Sequence, residues 1–519
     1  MHRHRSSPAT FLALLPFVLL PACPDETAAP IATDAASSSS SAGSTPDETT
    51  DAVPTGTGDG STTAGAWTTD TTDDTTTGPG DPPVVPPVDC PRAPHFSADK
   101  QPQRFIHVAP DGVDSPTCGD SDNPCASISG AAARGLTPGT AVQLHEGTYA
   151  TRDVLEDIQG TADAPIWIGG VHGEALPIIR GPQTRLKLSK VRWLVLHDLA
   201  FESSHDDVEP ALRVDDGEAR DDPEASRWVA LDRLVFTDAG DLYKACVELA
   251  GVNDFWIFDS EFTDCGQGLG DGIELIGSRR GQIVHNRFWG GQDGMSAHAG
   301  SEDVEFRANW VYSPGIGAEL GGVTPDWHAD FRPPVVQDAE NVEARAIRAI
   351  ANLFVDNLNP VDFAGCVECM AAHNTIIRPT HLFGINSGSI PADGYAFAKA
   401  ANGRFVNNLV WFERATVTED VYRFWNAAYY TEPETFVARS NLWYASDDPA
   451  RSAPDLAGVQ EVGSIIGSDP KFSDLEAKDY RLAADSPARQ AGWDFPQALS
   501  DLDDDCYGDP PNIGAYAWP

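Results

Sequence analysis

"IVHNRFWGGQDGM", residues 283–295, holds an apolar pair, an Asn, alternating bulky residues, two glycines and a lone carboxylate. Its pattern returns along the chain as HNRFW at 285, ANWVY at 308, ANLFV at 351, HNTII at 373, NNLVW at 407 and SNLWY at 440. Looser copies precede it, HDLAF at 197, DRLVF at 232 and DSEFT at 259, and the closest copies are 22 to 27 residues apart. Short β-branched and aromatic runs that alternate, each ended by Gly, Asn or Asp, read as strands. A strand in every copy of a fixed period is a solenoid signature, with the larger gaps taken up by inserted loops.

A coil of about 22 residues with two or three short strands, stacked in parallel on the next, is a parallel β-helix, and about nine or ten coils are expected. Ile283 and Phe288 then point inward. The recurring Asn sits at a turn, where its amide bonds backbone groups, tolerates unusual φ/ψ and reaches the Asn of the next coil. "QDG" is either the turn that ends a repeat or the start of a ligand set.

Three further stretches resemble a known family. "VAPDGVDSPTCGDSDNPCASISGAAARGLTPGTAVQLHEGTYATRD" (108–153) is similar to the N-terminal cap of right-handed parallel β-helix proteins of the pectate-lyase-like superfamily. "GTADAPIWIGG" at 160 resembles their first coil. "DPKFSDLEAKDYRLAADSPARQAGWD" at 469, with the terminal "NIGAY", resembles the closing segment of bacterial members. The resemblance spans roughly 103–519, with a cap over about 103–150 and a closing segment over about 466–519. It implies a fold and no single activity, since the superfamily holds lyases, hydrolases, epimerases and proteins without a known reaction. Thr140 departs from the family's usual Asp, and Arg489-Gln490 from its apolar-acidic pair. The stacked Asp-Asp with Gly-His-Gly of pectin hydrolases is absent, as is a calcium-acidic cluster with a downstream Arg pair.

The N-terminus, "MHRHRSSPATFLALLPFVLLPAC", has basic residues, an apolar run from Phe11 to Leu20 and a small residue before Cys23, an export signal over 1–22. "LPAC" resembles a bacterial lipobox, which implies lipidation at Cys23. Residues 23–88 are Ser, Thr, Asp, Gly and Pro in low-complexity order and cannot bury enough apolar surface to offset ordering, so they read as a disordered stalk. The folded domain is then 89–519, expected to be monomeric and attached to a membrane only through lipid, at the outer membrane or cell surface, or else secreted. With 78 acidic against 35 basic residues, a net charge of −43, nucleic acid is a poor partner. A bare polyuronate is also disfavoured unless a local basic patch or bound Ca²⁺ reverses the field.

Nine cysteines less Cys23 leave an even number, and Cys118 with Cys125 closes a short loop. Cys366 and Cys369 either lie in a turn or pair elsewhere, because an extended CVEC separates them by about 10 Å.

Function on a β-helix belongs to outward side chains and to loops. "YKACVELAG" (243–251), "LGDGIELIG" (269–277) and "GQDGMSAHAG" (291–300) align with Val247, Ile273 and Met295 inward. Glu248, Glu274 and Ser296 then share an outward column, with His298 two residues on. Adjacent strands are about 4.8 Å apart. That spacing lets Asp271 and Asp293 share one Ca²⁺. It also brings Glu248 and Glu274 near the roughly 5 to 5.5 Å of a retaining glycosidase pair. Lys244 or His298 could remove the proton that a uronate lyase must abstract. A DG turn and solvated outward Glu residues are the alternative. His285 and His373 are about three coils apart and are turn residues, not joint ligands.

Two insertions offer binding groups for a glycan. Residues 313–338 hold Glu319, Trp327, His328, Asp330 and Arg332, and residues 418–434 hold Tyr422, Phe424, Trp425, Tyr429 and Tyr430. Aromatic faces stack on sugars and Arg holds carboxylates, or else the aromatics seal the loops as a second small core. Asp501, Asp503 and Asp505 have calcium-loop spacing without the Gly or the final Glu, so they are either a solvated turn or a structural Ca²⁺ loop. The reading is an exported β-helix protein that binds or processes polysaccharide, a lyase by family resemblance, with a non-catalytic surface protein as the alternative.

Overall fold

The computed structural model describes residues 95–517, except 151, 182–185, 203–209, 240–243, 267, 269, 314, 425–426 and 495–499. The export signal, Cys23 and the stalk lie outside the described residues, as does Trp425.

The chain winds as a right-handed parallel β-helix. One coil contributes Asp271–Ile276, Arg279–Val284 and Arg287–Trp289, and the next stacks Asp293–His298, Ser301–Arg307 and Trp310–Tyr312 on them in parallel register. The three positions build sheets of ten, fifteen and twelve strands, here the site sheet, the middle sheet and the short-strand sheet. Ten coils carry all three strands, the upper end of the expected number, and the middle and short-strand sheets run on past them at both ends.

Inward residues form apolar columns. Val247, Ile273 and Met295 are fully buried in register on the site sheet. Phe201, Phe236, Phe262 and Phe288 stack in the short-strand sheet at centroid spacings of 4.9, 5.1 and 4.7 Å. Each such pair adds roughly 0.5–1.5 kcal/mol to simple area burial.

The repeated Asn forms a buried ladder. Asn286, Asn309, Asn352, Asn374, Asn408 and Asn441 are fully enclosed, and each Oδ1 after the first accepts the backbone N–H of the Asn one coil before, at 2.8 to 2.9 Å. Ser260 and Ser464 continue the ladder at its ends. The unusual backbone belongs to the residue before each Asn: His285, Ala308, Ala351, His373, Asn407 and Ser440 have φ between 51° and 57°. The Asn satisfies the turn and its neighbour bends it. His285 and His373 are therefore turn residues, as expected.

The helix Ile128–Ala132, N-capped by Ser127, sits in the N-terminal cap, where Arg104–Val108 pairs with Thr140–Leu144. Tyr480, Leu482, Ile513 and Tyr516 of the closing segment pack on the short-strand sheet. Cys118–Cys125 and Cys246–Cys265 are disulfides, and Cys366 bonds Cys369 across a turn in which Glu368 has φ 62°. The turn opening thus decides the CVEC pairing. Asp501 is 1% exposed and accepts backbone N–H groups of Asp503, Asp505 and Ala517, while Asp503 pairs with Arg481. That aspartate run is a hydrogen-bonded turn.

Both insertions differ from their sequence boundaries. Ile316–Gly321 is a regular strand, with Ala318 and Leu320 inward, so the first insertion begins at 322 and runs to 343. Glu419–Tyr422 is likewise a site-sheet strand, paired with His381–Asn386. The second insertion therefore begins only after Tyr422, and a further one that the sequence reading does not single out, 387–403, pairs its Ala396–Phe397 with Glu340–Asn341 of the first.

Candidate functional site

The outer face of the site sheet carries one continuous column. Strand register places Lys187, Arg213, Glu248, Glu274, Ser296, Glu319, Asp362, Gly384 and Tyr422 in sequence along it. Asp271 and Asp293 are register partners at the entry to two of its strands, and Ile276 pairs with His298 in the next outward column. The sequence-derived alignment of Glu248, Glu274, Asp271, Asp293 and His298 is the alignment in the fold. Lys244 lies close enough for its charge to act on both Glu248 and Glu274.

Enclosure makes these groups interact strongly, since low dielectric raises the cost of each unpaired charge. Glu248, 2% exposed, pairs with Arg213 through Nη1 at 2.8 Å. Burial still pushes its carboxyl upward, Arg213 opposes this, and Glu274 adds to the rise. Glu274 meets the His298 ring, Nε2 to Oε1 at 3.3 Å. Burial acts to raise the Glu274 carboxyl, but the hydrogen bond and charge of His298 hold it below its usual range. For His298 burial acts to lower the value, yet Glu274, then Glu343 and Asp271, bring it up to about 9. Glu274 and His298 are an ionised pair.

The other acids go the opposite way. Asp271 accepts from Ser296 Oγ at 3.0 Å, and burial with the Asp293 and Glu274 charges raises it far above the usual carboxylate range. Burial raises Asp293 to about 6, against a hydrogen bond from Ile316 N. Asp362, 2% exposed, rises through burial to about 7 although Asn359 and Asn386 donate to it. Glu319 is raised well above its ordinary value by burial and by Asp362, Asp293, Asp271 and Glu343. One face thus presents a carboxyl held low beside carboxyls pushed up, the combination that separates acid from base roles.

The sequence pattern does not single out Asp362, and it places Glu319 in a loop. "NPVDFAG" at 359 and "IGAELGG" at 316 are the signals, each an apolar-acidic-apolar run ended by Gly that aligns with "DGIELIG". His381 was missed as well. Its Nδ1 meets Asn359 Oδ1 at 2.7 Å, its ring stacks on Tyr422 at 4.6 Å, and burial lowers it from the ordinary imidazole value.

The remaining candidates lie to the side. Trp327 and His328 pack with Tyr395, and Trp327 with Phe397, in a small cluster that also buries Phe331 over Ala250 and Ile276. Arg332 is clamped on buried Asp216, Nε to Oδ2 at 2.8 Å and Nη2 to Oδ1 at 3.2 Å. Gly277, at φ 57°, leaves room for it, since an added Cβ would stand 2.5 Å from Arg332 Cβ. Cavities of about 240 and 280 Å³ flank this clamp, lined by Asp216, Asn253 and Arg279 on one side and by Glu302, Phe331 and Asn341 on the other. Phe424 and Tyr429 are 48% and 74% exposed. Among the described residues, the one group of three His, Cys, Asp or Glu ligand atoms within 4.8 Å is Asp114 with Cys118 and Cys125, whose sulfurs are bonded to each other.

No family model and no curated protein matches the sequence. Solved structures are similar in fold. Pectate lyase Pel9A matches at 15% identity over 83% of this chain and 100% of its own, with a TM-score of 0.48. A rhamnogalacturonan lyase matches at 14% over 72% and 91%, TM-score 0.46. XylC in complex with xylose matches at 10% over 80% and 98%, TM-score 0.48.

Proposed function

We propose that this is an exported polysaccharide-processing β-helix, lipid-anchored at Cys23 and held off the cell surface by residues 23–88, that cleaves a glycosidic bond on the outer face of its site sheet. The observation that supports this reading is the opposite displacement of two carboxyls along one column, Glu274 held low by His298 while burial pushes Glu319 up. Glu319 suits a general acid better than Glu248, which Arg213 holds as an ion-pair partner. Ser296 separates Glu274 from Glu319, so their strands stand about 9 to 10 Å apart. Carboxyl groups roughly 6.5–9.5 Å apart leave room for a water between base and substrate, the arrangement of inverting hydrolysis. In this reading Glu319 protonates the leaving oxygen and Glu274 takes a proton from that water.

Elimination at a uronate is the second reading, favoured by the cations at the column, Lys187, Arg213, Lys244 and His298, which would hold a substrate carboxylate. Asp271 and Asp293 are the residues that would hold Ca²⁺ in that case. They offer two carboxylates, so water and substrate oxygens would complete the six to eight ligands Ca²⁺ takes, and its charge would offset that of a uronate.

The test exposes the chain to neutral and acidic polysaccharides with and without Ca²⁺, following reducing ends and the ultraviolet absorbance of unsaturated uronate ends together. Reducing ends alone support hydrolysis, both signals support elimination, and binding without either would replace catalysis by a surface binding role.

A further inference from the structure

Glu343 ends the first insertion and is completely enclosed. Four donors converge on it. Ala299 N–H at 2.9 Å and Thr324 Oγ1–H at 2.6 Å meet Oε2, while Thr324 N–H and Ser389 N–H, each at 3.2 Å, meet Oε1. The insertions 322–343 and 387–403 and the end of the His298 strand therefore meet at one carboxylate.

A carboxylate can only accept hydrogen bonds, so the Thr324 hydroxyl directs its one proton to Glu343. Its lone pair then faces His298 Nδ1 at 2.9 Å. Only an Nδ1–H can complete that contact. The other ring nitrogen, Nε2, is the one beside Glu274 Oε1. In an imidazole the partner of one nitrogen sets the state of the other.

We propose that Glu343 is a positioning residue: acting through Thr324, it fixes one His298 proton on Nδ1, so that His298 gains and releases its second proton at Nε2, on the column side. Its bearing on cleavage, through the pairing of His298 Nε2 with the base Glu274, rests on the function proposed above, whereas the tautomer is a property of the fold. The titratable and charged groups facing His298 are Glu274 and Asp271 on the neighbouring strand, Glu343 behind Thr324, and Asp330 on the helix Trp327–Asp330, with Lys244 acting on Glu274. When Nε2 loses its proton, its lone pair faces the column, where a proton can be returned to it.

The experiment labels the full chain with ¹⁵N-histidine, assigns His298 by its loss in His298→Gln, and reads both ring nitrogens above the His298 titration. The expected neutral form carries its proton on Nδ1. Thr324→Val shifts the tautomer ratio toward Nε2–H by about tenfold, the worth of one net hydrogen bond, and Thr324→Ser restores it. Glu343→Gln, which puts an amide donor beside Thr324, shifts it in the same direction; should that variant not fold, the Thr324 pair decides. A wild-type proton on Nε2, or a Thr324→Val spectrum unchanged at both nitrogens, overturns the proposal. Polysaccharide assays on the same samples separate the two ideas: an intact lock in an inactive protein removes the function and keeps the lock, and an active protein without the lock does the reverse.

Discussion

His298 Nε2 stands 3.3 Å from Glu274 Oε1 on the adjacent strand, with the His and Glu side chains only 9% and 21% exposed. His298 is raised from 6.5 to about 9 and Glu274 is lowered from 4.5, so each stabilises the fold in its charged form. The histidine's share is fully present below about pH 6.5 and is lost as pH rises through about 9. The glutamate's share is present above about 4.5 and is lost as pH falls below it. Glu274→Gln is expected to cost on the order of 3 kcal/mol near pH 7, with a difference from wild type that shrinks at pH 10. Thermal unfolding of both proteins across pH 4 to 10 checks the window, and a constant offset would contradict it.

Asp362 has the opposite sign. Its carboxyl is raised from 3.8 to about 7 by burial, so the folded state holds a proton that the unfolded chain releases. Its contribution is therefore present below about pH 4 and falls away as pH climbs to 7. Relative to wild type, Asp362→Asn should gain stability with rising pH, reaching on the order of 4 kcal/mol above pH 7. Melting temperatures at pH 4 and pH 8 test this, and a gain equal at both would show that ionisation is not the cause.

Asn352 sits in mid-ladder, accepting from the backbone and side-chain amides of Asn309 and donating to Phe306 O and Asn374 Oδ1. Removing it leaves buried donors and acceptors unpaired, at about 1 to 3 kcal/mol for each such group. Asn352→Ala is expected to lower the melting temperature by many degrees, and Asn352→Asp to do worse because it adds an enclosed charge. Equal or better stability for the aspartate would mean that water reaches the ladder.

That ladder explains why the architecture was legible in the sequence. Each Asn recurs at a whole number of coils because it must bond the next, and Phe236, Phe262 and Phe288 recur for packing reasons. Short-range alternation likewise aligned Glu248, Glu274 and His298. Glu319 escaped because the Gly and Pro around it hide the Ala318 and Leu320 alternation, and Asp362 because Asn359 and Pro360 begin its strand where other coils have Asp-Gly. Arg332 and Asp216 are 116 positions apart, and Glu343 reaches His298 through a threonine on an insertion. Neither contact has a period for a sequence to display.

The Arg332 clamp has an energetic consequence of its own. Its partner Asp216 is only 2% exposed, so a variant lacking the guanidinium strands a charge away from water. Arg332→Met should cost about 3 to 5 kcal/mol, while adding Asp216→Asn should recover much of it, since a pair removed together leaves no bare charge. A double variant as unstable as the single one would show that Arg332 acts through packing on Gly277 rather than through charge.

Glu319 provides the sharpest test of the proposed chemistry, because its suggested role requires a proton on a group that would otherwise ionise. Burial, with acidic neighbours beside it, pushes its carboxyl upward, and no hydrogen-bond donor to that carboxyl is found among the described residues. If it protonates the leaving oxygen, Glu319→Gln should lower cleavage of a natural glycosidic link by about 10²- to 10⁴-fold. A substrate with a good leaving group, such as a nitrophenyl glycoside, needs no such acid and should lose far less. Glu274→Gln should slow both substrates, since water activation is common to them. A Glu319→Gln variant impaired equally on both would assign Glu319 to substrate binding or to the shape of the groove, and the acid would then have to be sought at Asp362, the next group along the column.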